Sequence, residues 1–411
     1  MPSTAALGLR RMLPRDPRQP HRVASTLELF FDLTFVVAVS VAAEELAHVE
    51  PGELGSGVVR YALVFFAIWW AWVNFTWFAS AFDPDDWLYR VLTITQMGGV
   101  LVLAAGVQRG FEAEDFRLMV TGYVIMRVAM IAQWLRAARN RGYRGVAMRY
   151  AAGIGAAQVL WLLWLGVPRP LALIGFAVLA LLEVAIPAWA ERAHSTPFHL
   201  HHVGERYGLF TLIVLGEGLL AVTNTLIGAQ HEVERASELV VLGVTALVLI
   251  AGMWWIYFAR EPHVGMTSVR STFTFGYLHL LVFASAAALA SGLELGLRAS
   301  EGRLELPAAA VRAASTVPVA VFLLATWSVV LRFSVRPATN RLLPLAAVLI
   351  AGAAVLPAGV QVAAVLVVGV VVLLEVDSRR HSSEGPDARR ASAARSAADV
   401  PSPHTDRGGQ G

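Results

Sequence analysis

Stretches of about twenty apolar residues alternate with short polar segments along the whole chain, and the alternation occurs twelve times. A helix needs ~20 apolar residues to span the ~30 Å hydrocarbon of a bilayer. The pattern therefore predicts membrane helices at 26–48, 58–82, 87–108, 116–138, 147–166, 171–190, 206–228, 237–259, 272–297, 311–332, 340–356 and 358–376. The last two are short and meet at Pro357, which predicts either a tight helical hairpin or one broken helix. Residues 1–22 are polar and basic, unlike a cleavable signal, and predict a cytoplasmic head. From Asp377 the chain turns rich in Ser, Ala, Arg and Asp, which predicts a disordered cytoplasmic tail over 377–411. The expected fold class is all-α: a polytopic membrane bundle over 23–376 with about twelve spans.

Composition agrees and excludes several chemistries. Residues of the AVILMFWYC set make up 56% of the 411-residue chain and charged residues 15%; mean hydropathy is +0.59. Soluble domains carry about 25% charged residues. Cysteine is absent, which removes disulfides and thiolate chemistry. Lysine is absent too, so all 33 positive residues are arginine, and Walker A or Schiff-base lysine chemistry is excluded. With twelve spans and the N-terminus inside, 24 arginines fall on the cytoplasmic side and eight outside, with Arg127 inside helix four. That bias follows the positive-inside rule and predicts that both termini are cytoplasmic. The strongest inside cluster is Arg136, Arg139, Arg141, Arg144 and Arg149.

A weak internal repeat divides the spans into halves at 23–190 and 200–376. Helices one and seven each open with a glutamate (Glu28, Glu205) and hold a deeper acid (Asp32, Glu217). Helix two contains Trp69 and Trp70, and helix eight Trp254 and Trp255. The pattern reads as two parallel six-helix repeats, an arrangement that many transporters use; chance likeness between apolar helices is the plain alternative.

Ionisable groups within spans are costly and call for a partner or a wet cavity. Glu183, Glu217 and Arg127 lie deep; Asp32 lies one turn beyond Glu28, on the same face. Arg127 is expected to pair with Glu183, Glu217 or Asp32, either to fix helix packing or as part of a pathway. Glycines 216 and 218 flank Glu217 and permit close approach. His194, His199, His201 and His202 precede Glu205, and His202 is expected to meet Glu205 rather than a metal. The aromatic run of helix two, with Trp69, Trp70, Trp72 and Trp77, reads as core packing, and the acidic turn Asp83, Asp85, Asp86 as solvated.

These motifs resemble the low temperature requirement A family of bacterial multi-pass membrane proteins. The likeness rests on Leu27 to Val36, on Asp83, Asp85, Asp86 and Arg90, on His202 through Phe210 (with Glu205 and Arg206) running to Glu217, and on Arg270 with Tyr277, Leu278 and His279. The family's frequent Trp before the first Glu is Thr26 here. The resemblance implies a multi-pass protein of the bacterial inner (plasma) membrane tied to growth at low temperature. The leading functional expectation is a transporter or permease using Glu28, Asp32, Arg90, Arg127, Glu183, His202, Glu205, Arg206, Glu217, Arg270 and His279. Alternatives are an ion channel and a non-transporting membrane protein supporting cold growth. No hydrolase or metalloprotease motif is present, so an enzyme is not expected. Nor is a cofactor, a metal or a nucleic acid. The expected partners are the lipid bilayer and a small solute or ion.

Overall fold

The computed structural model describes residues 8–15, 23–192, 195–229, 236–261, 266, 269–302 and 306–398, without side chains at 51, 225, 228, 229, 236, 269, 270 and 381–398. Among the described residues there is no strand, and twelve helices are long and apolar enough to cross a membrane. They are α1 (Thr26–Ala47), α2 (Leu54–Ala81), α3 (Trp87–Glu112), α4 (Arg117–Ala137), α5 (Arg144–Trp164) and α6 (Arg169–Ala190). The second half comprises α7 (Leu200–Ala229), α8 (Ala236–Phe258), α9 (Val269–Ser300), α10 (Ala308–Val329), α11 (Pro337–Gly352) and α12 (Gly359–Ala398). Each expected span is found in place. Between α11 and α12 the chain makes a 3-10 turn at Ala353–Val355, so this region is a hairpin of two helices.

Local signals explain the helix ends. Ser25 caps α1 in a reciprocal box: its hydroxyl accepts from the Glu28 amide (3.3 Å), and Glu28 accepts from the Ser25 amide (2.7 Å). Asp86 caps α3 by accepting from the Tyr89 amide at 2.8 Å. The α7 helix begins six residues before the expected 206, because His202, Val203 and Arg206 form one buried face of its first turns. A polar stretch that hydropathy assigns to a loop is thus a helix whose polar side turns inward.

Both ends of the chain also differ from expectation. The α12 helix passes Asp377, where the tail was to begin, and continues to Ala398. Asp377 is buried, accepts from the Thr339 hydroxyl (2.6 Å) and the Arg336 amide (3.2 Å), and pairs with Arg260 (3.1 Å). Extending a formed helix through Ala and Arg requires no new nucleation, whereas composition alone reads such a segment as disordered. Residues 399–411 lie outside the described residues. The basic head is docked at least in part: Met12 is buried, the Arg10 amide donates to Asp86 (3.0 Å), and Arg15 pairs with Asp83.

Neighbour relations repeat between the halves. In each, the first span packs on the second and third, the third on the fourth, the fourth on the fifth, and the fifth on the sixth. The third and fourth spans cross at backbone contact in both. A Cβ on Gly122 would lie 2.4 Å from the Leu103 nitrogen and 2.5 Å from the Gly99 oxygen. One on Gly292 would lie 2.0 Å from the Ala314 oxygen. Small residues of this kind let membrane helices approach closely where no hydrophobic effect drives them together. The halves meet where α1 and α2 pack on α7 and α9. The most enclosed span is α2, with Trp69, Trp70, Trp72, Phe75 and Phe78 buried. By contrast, α6 turns Leu171, Leu173, Ile174, Val178 and Leu181 outward, a face suited to lipid.

Candidate functional site

The buried ionic centre lies between the first helices of the two halves. On α1, Glu28 and Asp32 sit one turn apart and both reach one guanidinium, that of Arg206 on α7. Arg206 meets Asp32 with both edges, Nη2 to Oδ1 at 2.5 Å and Nε to Oδ2 at 3.1 Å. Its Nη1 lies 3.0 Å from Glu28 Oε1. His202 Nε2, one turn before Arg206, lies 3.3 Å from the same Glu28 oxygen. The indole of Trp72 on α2 donates to Asp32 at 2.6 Å. All four ionisable side chains are at most 2% exposed. Planar, bidentate contact of this kind suits arginine.

A second buried pair joins α4 and α6 within the first half. Arg127 lies 3.3 Å from Glu183, one of the three partners left open by the sequence, and donates to the Tyr123 hydroxyl at 2.5 Å. Glu183 also accepts from Trp70 (2.6 Å), Trp161 (3.1 Å) and Gln158 (3.3 Å). Pro187, one turn on, lacks the amide that would bond the Glu183 carbonyl. In the same turn, the Tyr277 hydroxyl of α9 donates to the Val184 carbonyl at 3.1 Å. The α2 helix thus touches both centres, Trp70 holding Glu183 and Trp72 holding Asp32.

Further along the interface of α1 and α7, Ser40 donates to Glu217, and both side chains are half-buried. Between this pair and the Asp32 centre lies an apolar layer. Trp72 stacks on Phe210 (centroids 4.5 Å apart), and Phe283 meets both edge-on. Phe31 and Phe35 are packed 4.7 Å apart on the α1 side.

Residues 23–374 match the family described as bacterial low temperature requirement A protein. That stretch contains both buried centres and the contact between the halves. The chain belongs to the low temperature requirement A family. It is also 28% identical over 281 residues to an uncharacterized protein of Rhizobium meliloti (strain 1021). The match spans 63% of this chain and 66% of that relative, just under two thirds of its length.

In this low temperature requirement A protein, the two best motifs of the sequence, Leu27 to Val36 and His202 through Phe210, face each other as the walls of one ionic centre. Other expected site residues lie apart. Arg90 is exposed and forms a two-point pair with Asp85 (2.9 and 3.0 Å). Glu205 is half-buried at the edge and accepts from the Ala24 amide at 3.4 Å; Glu28 takes the His202 contact expected of Glu205. His279 is buried and served on both sides: Nδ1 donates to the Phe275 carbonyl (2.6 Å), and Nε2 accepts from Tyr257 (2.9 Å). It braces α8 against α9. The side chain of Arg270, like His194, lies outside the described residues.

Asp32 faces Arg206, while Glu217 meets Ser40, two turns further along α1. Two expectations need correction. A Cβ on Gly216 would meet nothing within 4 Å, and one on Gly218 would lie 3.6 Å from Ile250 of α8. The turn Asp83, Asp85, Asp86 is not simply solvated: Asp86 is buried against Arg136 at 2.5 Å. Burial pushes the Asp86 carboxyl up, but the Tyr89 amide, the Arg136 guanidinium and the Arg10 amide together outweigh it and hold it below its ordinary value. Among the described residues no group of three or more His, Asp or Glu is placed to hold a metal ion. Sequence reasoning missed the tryptophan donors, for which their mid-span position away from the membrane interface was the available signal.

Proposed function

We propose that the protein is a proton-coupled secondary transporter of the bacterial inner membrane, with both termini cytoplasmic. The observation that carries this reading is the charge of the centre between the halves. Among the described residues, two carboxylates there face a single arginine, and arginine keeps its proton in proteins. The deficit of one positive charge is made up when His202 or a carboxylate binds a proton, or when a cation enters. Transporters built from repeats place their coupling sites at the repeat interface, which is where this imbalance sits. Ser40 and Glu217 extend the same seam beyond the aromatic layer of Trp72, Phe210 and Phe283, so proton traffic along it requires that layer to part. The arginine bias of the loops supports the orientation. The transported solute is a small molecule or ion, and no step of bond making is assigned to the protein.

Asp32 is fully bonded by Trp72 and Arg206, which favours a second reading in which the centre only fixes packing in a membrane protein needed for cold growth. Vesicles reconstituted with the full chain and a trapped pH dye separate the two. Solute-driven proton movement in the wild type, lost in Glu217→Gln and His202→Gln at equal protein levels, supports transport. If a panel of sugars, amino acids, organic acids and inorganic ions moves no protons, the coupled reading fails. Reporter fusions after Arg144 and after Asp377 should both read cytoplasmic.

A further inference from the structure

The arginine-rich end of the bundle holds a cavity of about 630 Å³ that the transport reading does not use. The docked N-terminal segment forms one wall with Arg10, Arg11 and its neighbours; the end of α4 and the following turn form the other with Arg136, Arg139 and Arg141. Among the described residues, five guanidiniums line this space and no carboxylate does. The nearby acids are already engaged: Asp83 by Arg15, Asp85 by Arg90, and Asp86 by Arg136. Among the described residues, Arg11, Arg139 and Arg141 have no carboxylate within ion-pair distance, and all three are exposed toward solvent or the cavity. Chain folding created this convergence, because the N-terminal segment is held in place by the buried Met12 and by the Arg10 amide on Asp86.

We propose that this cavity binds a phosphate group, either that of an anionic lipid headgroup or that of a free phosphate compound. Guanidiniums contact phosphate through paired, charge-assisted hydrogen bonds. Basic pockets at the cytoplasmic ends of membrane helices are suited to lipid headgroups. A bound phosphate would be shared between the N-terminal segment and the turn after α4, tying the head to the first half of the bundle. The inference is independent of transport, and its test reads binding alone.

The full chain is placed in nanodiscs of phosphatidylcholine, with or without phosphatidylglycerol, and inorganic pyrophosphate is titrated into the phosphatidylcholine discs. Lipid retained in native mass spectrometry and the thermal midpoint are read. Binding of phosphatidylglycerol alone assigns the site to lipid; binding of pyrophosphate as well assigns it to phosphate in general. The combined Arg11→Gln, Arg139→Gln and Arg141→Gln variant should bind about tenfold more weakly. Arg144→Gln with Arg379→Gln removes exposed charges away from the cavity and should leave binding unchanged. Absence of binding by either probe overturns the proposal. So does an equal loss in the control variant, which would show bulk charge at work, or unchanged binding in the cavity variant.

Discussion

Replacing Arg206 with methionine keeps most of the side-chain volume and removes the one fixed positive charge between α1 and α7. Glu28 and Asp32 would then be two carboxylates one turn apart, each at most 2% exposed. Breaking a buried ion pair by removing one partner costs ~3–5 kcal/mol, which is about two to three and a half powers of ten in a folding equilibrium. The cost should not fall evenly. Glu28 keeps the Ser25 amide at 2.7 Å, whereas Asp32 keeps only the Trp72 indole at 2.6 Å after losing two arginine contacts. Asp32→Asn should therefore rescue Arg206→Met better than Glu28→Gln does. Arg206→Lys should fall between wild type and Arg206→Met, since an ammonium cannot bridge both acids with a planar fork. The assay is folded yield from membranes by fluorescence size exclusion, with thermal midpoints in one detergent. An Arg206→Met protein equal to wild type in both would refute the argument that this guanidinium holds the halves together.

Arg127→Met should likewise lower folded yield, and a second change at Glu183, but not at Glu217, should restore part of it; rescue through Glu217 instead would contradict the pairing seen here. Gly122→Ala should destabilise by ~1–3 kcal/mol through overpacking at the crossing of α3 and α4. Gly216→Ala, which meets nothing within 4 Å, should leave the thermal midpoint close to wild type. Asp86 has its carboxyl held below the ordinary 3.8 in the folded protein, so its contribution is full above that value and is lost as pH falls through the lower folded one. At neutral pH, Asp86→Asn should make residues 8–15 more open to proteolysis, and unchanged cleavage would show that the segment is held by other contacts.

The spans were legible because a bilayer imposes a length and a polarity that no tertiary contact overrides. The shared face of Glu28 and Asp32 followed from four-residue spacing, and depth narrowed the partner of Arg127 to Glu183 or Glu217 without choosing between them. The partner of Asp32 was harder to see. Hydropathy places Arg206 at the lip of a loop, and only the buried first turns of α7 carry it inward. Trp70 and Trp72 were read as packing, which they are, but buried indole N–H groups usually also find acceptors. Their acceptors lie 113 and 40 residues away, a separation that no local pattern encodes. The docking of Met12 and the burial of Asp377 likewise depend on distant surfaces that exist only once the bundle has formed.

Trp70 and Trp72 stand two places apart, so their side chains leave α2 on different sides, one toward each buried carboxylate. A turn or tilt of α2 that released Asp32 would also disturb the donor on Glu183. Removing the Glu183 carboxylate would in turn weaken what anchors α2 on its far side. Where one rigid element is shared in this way, any influence of a change at the first acid on the second must be matched by an equal influence in return. Two acids on α1 and α6 are thus joined through a helix that carries no charge at either contact.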